Sequence, residues 1–167
     1  MEVTLDMILA SREARQKEQE YLLKRSYGST LISMTVVMPG NVKRDEYTIK
    51  IAEAGMDALL NAFDGGINRI VQRDLETGYE AFLLVKAPLE ETKRVVSLIE
   101  ETHPLGRLFD IDVIGEDGVP VTRTGYGMTP RKCLLCDNEA RYCMRNHTHT
   151  PEQLKARIRE MVDEYVR

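Results

Sequence analysis

The eight residues Gly106 to Val113, reading Gly-Arg-Leu-Phe-Asp-Ile-Asp-Val, constrain the fold more than any other part of the chain. They set two carboxylates one residue apart inside an apolar run. Strand alternation puts Leu108, Asp110, Asp112 and Ile114 on one face and Phe109, Ile111 and Val113 on the other, with the two Asp Cα atoms roughly 7 Å apart. Aspartate is depleted in strands, so a pair in one strand needs water or a cation. Burying like charges is costly unless a cation neutralises them. Carboxylate oxygens suit a hard ion such as Mg²⁺, which takes one or two carboxylates together with substrate phosphates. Two readings follow: a metal-dependent phosphoryl or nucleotidyl transfer site centred on Asp110 and Asp112, or a sheet edge whose acids face water.

The rest of the chain supplies what would pack on that strand. Thr4 caps a helix from about Leu5 to Lys24, and Arg12, Arg15 and Gln19 fall on one of its faces. That face could hold phosphates, or it could be a solvated face balanced by Glu13 and Glu18. Leu31 to Met38 reads as a buried strand closed by Pro39-Gly40, and the loop from Pro39 to Arg44 carries Lys43 and Arg44, which could contact an anion or simply make the loop polar. Asp45 precedes a second helix to about Phe63, with Ile49, Ala52, Met56, Leu59, Leu60 and Phe63 as its apolar stripe. Ile67 to Leu75 and Tyr79 to Lys86 form a hairpin around Glu76-Thr77-Gly78. Pro88 opens a third helix whose buried side is Thr92, Val95, Val96 and Ile99, and His103-Pro104 ends it. A return strand, Val119 to Arg123, follows the Asp-Ile-Asp strand. This order argues for an α+β fold: one domain with a mixed β-sheet of about five strands and helices packed on it. A chain of 167 residues can bury about 70% of its unfolded surface in one such core.

Charge narrows the partners. The net charge of -4 argues against a general affinity for nucleic acid or an anionic membrane surface. The longest apolar run is too short to span a bilayer, and the first residues carry no cleavable signal pattern. A cytoplasmic protein is expected. Between Arg123 and Arg145, however, five cationic residues stand against two acids. In the same segment Cys133, Cys136 and Cys143 cluster ahead of His147 and His149, before a last helix from about Pro151 to Tyr165. An odd, clustered set of cysteines in such a chain is not a disulfide framework. The ligand types match a structural Zn²⁺ site, with His149 or His147 as fourth donor; simple burial of the thiols is the alternative.

Three segments carry a family resemblance. Gly106 to Val113, preceded by His103-Pro104-Leu105, resembles the signature of the citrate lyase holo-acyl-carrier-protein synthase family, the apo-citrate lyase phosphoribosyl-dephospho-CoA transferases. Leu9 to Leu23, with Arg12-Glu13-Ala14-Arg15, Gln19 and Leu22-Leu23, is similar to that family's N-terminal helix. Arg131-x-Cys133-Leu134-Leu135-Cys136, with Ala140, Cys143, Arg145 and His149, is similar to its C-terminal segment, and Met38-Pro39-Gly40 and Lys43 also look familial.

The resemblance implies a single transferase domain over 1–167 with a Cys-rich segment at 131–149. It implies transfer of 2'-(5''-triphosphoribosyl)-3'-dephospho-CoA to a serine of the acyl carrier protein (gamma) subunit of citrate lyase, with release of pyrophosphate. On this reading Asp110 and Asp112 are catalytic and hold Mg²⁺. Arg12, Arg15, Lys43, Gly106, Arg107 and Arg131 bind the substrate, although Arg107 lies by parity opposite the Asp pair and can help only if the strand start bends near Gly106. Cys133, Cys136, Cys143 and His149 hold Zn²⁺, and an acidic carrier would dock near Arg123, Arg131, Lys132, Arg141 and Arg145. Two competing readings stand beside it: a non-enzymatic, zinc-stabilised protein-binding module, and a transferase of the same precursor to another carrier protein, as in the malonate decarboxylase system.

Overall fold

Runs of β-branched and aromatic residues pair into one antiparallel sheet made of Thr30–Val36 (β1), Ile67–Leu75 (β2), Gly78–Val85 (β3) and Phe109–Ile114 (β4), in the order β2-β3-β1-β4. The helices are Leu5–Leu23 (α1), Glu46–Ala62 (α2), Leu89–Thr102 (α3), Ala140–Asn146 (α4) and Pro151–Tyr165 (α5). This computed structural model describes residues 1–167.

The α+β class stands, but the sheet has four strands and no parallel neighbours, where a mixed sheet of about five was expected. Helical connections such as α2 do make β2 run parallel to β1, yet β3 inserts between them, so each adjacent pair is antiparallel. The anticipated return strand is reduced to one bridge, Ile114 to Pro120, made by two bonds, Gly115 N–H to Val119 C=O and Val121 N–H to Val113 C=O. Beyond Val121 the chain turns away into a 3₁₀ turn, Thr124–Tyr126.

The two faces of the sheet differ. Ile32, Met34, Ala81, Leu83, Val85, Phe109, Ile111 and Val113 point into the main core, against Ile51, Ala54 and Leu59 of α2, Val96 of α3, and Ile158 and Val162 of α5. Full burial of each large aliphatic side chain here contributes about 1.5–3 kcal/mol. Gly55 lets α2 approach: a Cβ there would stand 2.6 Å from Met34 Cε. The α2 stripe is rotated from expectation. Ile51 is fully buried, whereas Ile49 is half-buried, Leu60 is exposed, and both line a cavity of about 480 Å³ with Gln72, Asp74 and Tyr79.

On the opposite face only α1 covers the sheet. Leu22, Leu31, Phe82, Leu84 and Ile114 make a small apolar cluster at one end, and the other end stays polar.

The chain entering β4 also departs from expectation. Gly106–Leu108 is a turn of 3₁₀ helix, and Leu108 is fully buried in the main core, on the other side of the sheet from the Asp pair. A Cβ on Gly106 would collide with the backbone oxygens of Glu100 and Ile99. The glycine is therefore fixed by close packing of α3 on the turn.

Candidate active site

The polar end of the α1 face is a groove. Thr4 Oγ1 accepts the Met7 N–H at 3.2 Å and starts α1, while Val3 N–H donates to Asn41 C=O at 2.8 Å and fixes the helix start to the loop after β1. From there α1 lays one row of residues on the sheet. Ser11 and Arg15 reach Glu80, Gln19 Nε2 donates to Ser33 Oγ at 3.0 Å, and Leu22 enters the small cluster. Arg12, Arg15, Lys43, Thr35, Glu80 and Asp110 all line the resulting cavity of about 210 Å³. Four of the residues singled out in the sequence thus meet in one place, although they come from α1, a loop and β4.

Asp110 and Asp112 lie opposite Thr35 and Ser33 across the β1–β4 ladder, which puts both carboxylates on the α1 face. Asp110 is exposed and Asp112 half-buried. Burial, and then the charge of Asp110, push the Asp112 carboxyl up to about 6, against the pull of Lys93 and Arg15. Lys93 is only 4% exposed, and burial holds its ammonium below the usual lysine range. Two carboxylates side by side on one strand face suit a divalent cation, whose charge would offset their repulsion.

The cationic side of the groove is built around the turn after β1. Lys43 Nζ donates to Met38 C=O at 2.6 Å. Its pKa is lowered by burial, then by the neighbouring charges of Lys155 and Arg12. Lys155, from α5, places Nζ 3.0 Å from where a Cβ on Gly40 would stand. Lys155 did not stand out in the sequence. A signal exists, since it shares the inward helical face of Ile158 and Val162 at i+3 and i+7.

The cysteine segment forms a second centre. The donor atoms of Cys133, Cys136, Cys143 and His149 lie within 4.8 Å of one another. Cys136 Sγ is 3.4 Å from Cys143 Sγ and 3.5 Å from His149 Nε2. Tetrahedral donors about 2.3 Å (sulfur) and 2.0 Å (nitrogen) from zinc stand roughly 3.5–3.8 Å apart, so the group can hold a metal ion. Burial pushes the Cys133 thiol up, but hydrogen bonds from the Leu135 and Cys136 amides and from the other two thiols outweigh it and bring its pKa below the ordinary value. His147, by contrast, is exposed and ends α4 with a left-handed backbone, φ 47°. Of the two histidines, His149 is the one in the group.

A family model described as apo-citrate lyase phosphoribosyl-dephospho-CoA transferase matches residues 3–165. The chain belongs to that family. It is 39% identical over 169 residues to the probable apo-citrate lyase phosphoribosyl-dephospho-CoA transferase of Vibrio cholerae serotype O1 (strain M66-2), covering 99% of this chain and 94% of the relative. It is 37% identical over 165 residues to the apo-citrate lyase phosphoribosyl-dephospho-CoA transferase of Shigella boydii serotype 18, covering 97% and 90%. The match to the transferase family includes both the Asp pair and the cysteine segment, and it favours the transferase over a non-enzymatic binding module.

Within this transferase-family fold, three of the expected substrate-binding residues stand apart from the groove. Arg131 donates to Phe109 C=O at 2.7 Å, to Gly106 C=O at 2.9 Å and to Glu100 at 3.1 Å. Arg107 Nε donates to Lys132 C=O at 2.7 Å. The chain does bend at Gly106, as Arg107 would require, but the bend turns its side chain to the cysteine segment. Buried Glu100 accepts from Arg131, Arg123 and Ile111 N–H. These bonds satisfy the outer edge of β4, which would otherwise expose unpaired backbone groups. Arg123 and Arg131 are thus held in ion pairs, while Lys132, Arg141 and Arg145 remain exposed.

Glu80 went unremarked in the sequence. Its carboxylate is 3% exposed and pairs with Arg73 at 2.6 Å and Arg15 at 3.3 Å. The signal was an acid heading the apolar run Ala81 to Val85.

Proposed function

We infer that the protein transfers 2'-(5''-triphosphoribosyl)-3'-dephospho-CoA to a serine of the apo acyl carrier protein subunit of citrate lyase, with pyrophosphate leaving. The observation that carries this reading is the convergence of Asp110, Arg12, Arg15 and Lys43 on one groove, with Asp112 on the same face of β4, in a chain of this family. A triphosphate needs cations along its length and a hard-ion site at the reacting phosphorus, and the groove offers both kinds of group side by side.

Asp110 and Asp112 would hold Mg²⁺, which when bound supplies charge stabilisation to the phosphoryl oxygens. The residues of the chain do the rest. Arg15 is oriented by its bond to Glu80, leaving the remainder of its guanidinium to face the groove. Arg12 and Lys43 supply fixed positive charge where negative charge builds on the departing oxygens; losing one such preorganised group costs about 10²–10³ in rate. The serine proton passes to a carboxylate of the Asp pair. Ser33 and Thr35, opposite the pair, keep that face of β1 polar.

Zinc on Cys133, Cys136, Cys143 and His149 would be structural, since all four positions are filled by side chains. It fixes the segment that Arg107 and Arg131 tie to β4, and it sets the start of α5 two residues after His149. No helix is long and apolar enough to cross a membrane. A cytoplasmic location, where thiols stay reduced, belongs to the same reading.

The test is incubation with the triphosphoribosyl precursor, Mg²⁺ and purified apo carrier subunit, followed by intact mass. The expected result is addition of one phosphoribosyl-dephospho-CoA group to the carrier and release of one equivalent of pyrophosphate to solution, both absent when the carrier serine is replaced by alanine. Equal or faster modification of the malonate decarboxylase carrier would overturn the carrier assignment, and no modification of either would overturn the reaction.

A further inference from the structure

Acids outnumber bases in this chain, 27 to 23, and many of its cations are matched. Arg15, Arg44, Arg73, Arg94, Arg123, Arg131 and Arg157 each have a carboxylate within 3.3 Å. The corner around the Met38–Gly40 turn gathers three cations from separate parts of the chain. Arg12, Lys43 and Lys155 converge there, and none of them makes an ion pair.

The convergence is built. The Val3–Asn41 hydrogen bond holds the start of α1 to this turn, and Pro151 at the start of α5 comes within 4.0 Å of where a Cβ on Gly40 would be. Gly40 has φ +82°, a conformation that L side chains rarely adopt, and the space a side chain would fill holds the end of Lys155. Lys155 is half-buried on the inward face of α5. Three unpaired like charges in one corner repel one another, a cost that a bound anion would relieve.

We propose that Lys155 joins Arg12 and Lys43 in a subsite for the pyrophosphate leaving group. The inference rests on the transferase reading for the identity of its anion, and on the geometry alone for the anion site. Asp110, Arg12 and Lys43 line one groove, and Lys155 reaches the Gly40 turn beside Lys43. That arrangement suits a triphosphate with its α-phosphorus at the Asp pair and its β- and γ-phosphates at the Gly40 turn. In the transfer, the serine Oγ–Pα bond forms and the bond from Pα to the bridging oxygen breaks. The electron pair leaves on pyrophosphate, and the serine proton goes to a carboxylate of the pair. Lys155 meets the charge that develops on the departing group. It also couples the zinc-bearing segment, which ends immediately before α5, to the chemistry.

The experiment uses zinc-loaded full-length protein, with calorimetric titration of inorganic pyrophosphate and steady-state transfer for wild type, K155M, K155Q and K155R. A charge-assisted contact of this kind corresponds to about tenfold to hundredfold in affinity. The expected result is a pyrophosphate Kd weakened about that much in K155M and K155Q, with product inhibition by pyrophosphate weakened in parallel. KM for the carrier and zinc content stay unchanged, and K155R recovers most of the binding. Unchanged pyrophosphate affinity and inhibition in folded K155M and K155Q would overturn the subsite, even with wild-type transfer intact. Absence of pyrophosphate binding to wild type would do the same. Lys155-dependent pyrophosphate binding in a protein that transfers nothing to the carrier would leave the anion site standing and remove the transferase reading.

Discussion

In Mg²⁺-free protein, Asp112→Asn is expected to raise stability while abolishing transfer. Asp112 holds its proton up to about pH 6 in the folded chain, mainly through burial and then the charge of Asp110, against an ordinary value of 3.8. The folded state thus binds this proton more tightly than the unfolded state. The ionised carboxylate becomes a liability as pH rises from about 4 through about 6, and the penalty is complete above that. At about 1.4 kcal/mol per pKa unit the difference amounts to roughly 3 kcal/mol, and solvent access to a half-buried group trims it to roughly 2. Asparagine keeps the shape and cannot ionise. Urea unfolding of zinc-loaded, Mg²⁺-free protein should show the variant equal to wild type near pH 4 and more stable by roughly 2 kcal/mol near pH 7.5. Saturating Mg²⁺ should then stabilise wild type and leave the variant unmoved. A stability difference that stays flat across this pH range would refute the reasoning. So would an asparagine variant less stable than wild type at neutral pH.

Other perturbations reach the framework around the groove. Glu80→Ala leaves Arg15 and Arg73 without their buried carboxylate and should cost about 3–5 kcal/mol in chemical denaturation; a loss below 1 kcal/mol would contradict the pairing. Arg131→Ala removes one of the two guanidinium partners of Glu100, leaving Arg123, and frees the β4 edge, so the melting temperature should fall while the affinity for inorganic pyrophosphate in the folded protein stays within about twofold. Cys136→Ser should reduce bound zinc from one equivalent to below one half by elemental analysis and raise proteolysis within 131–149; full zinc retention would remove Cys136 from the metal group. Gly106→Ala drives a methyl into the carbonyls of Ile99 and Glu100 and should destabilise by more than about 2 kcal/mol by thermal melting.

Local rules made much of this legible in the sequence. Thr4 and the periodicity after it gave α1, Pro151 marked the start of α5, which Thr150 caps, and Gly78 closes the β2–β3 hairpin. The parity of Asp110 and Asp112 is equally local, because alternation holds within β4. It fails for Leu108, where the chain is no longer strand. Sheet order was not legible, since the insertion of β3 beside β1 is decided by packing between residues some fifty apart. Arg12 and Arg15 followed from helical spacing. Arg131 looked equally cationic in sequence, yet its partners are carbonyls and Glu100 of the β4 turn. Glu80 and Glu100 carry one overlooked signature, a charge standing on an otherwise apolar strand or helix face. Buried charges persist with partners or a function, and both of these are held by arginines.

The most direct test of the central claim is transfer to the apo carrier subunit by Asp110→Ala, read by intact mass as a function of Mg²⁺ concentration. Asp110 is exposed, so the variant should fold as wild type does. The expected outcome is Mg²⁺-dependent modification by wild type and a loss of at least about a hundredfold in the variant. Wild-type rates from Asp110→Ala, at any Mg²⁺ concentration, would mean that the groove under α1 is not where the transfer occurs.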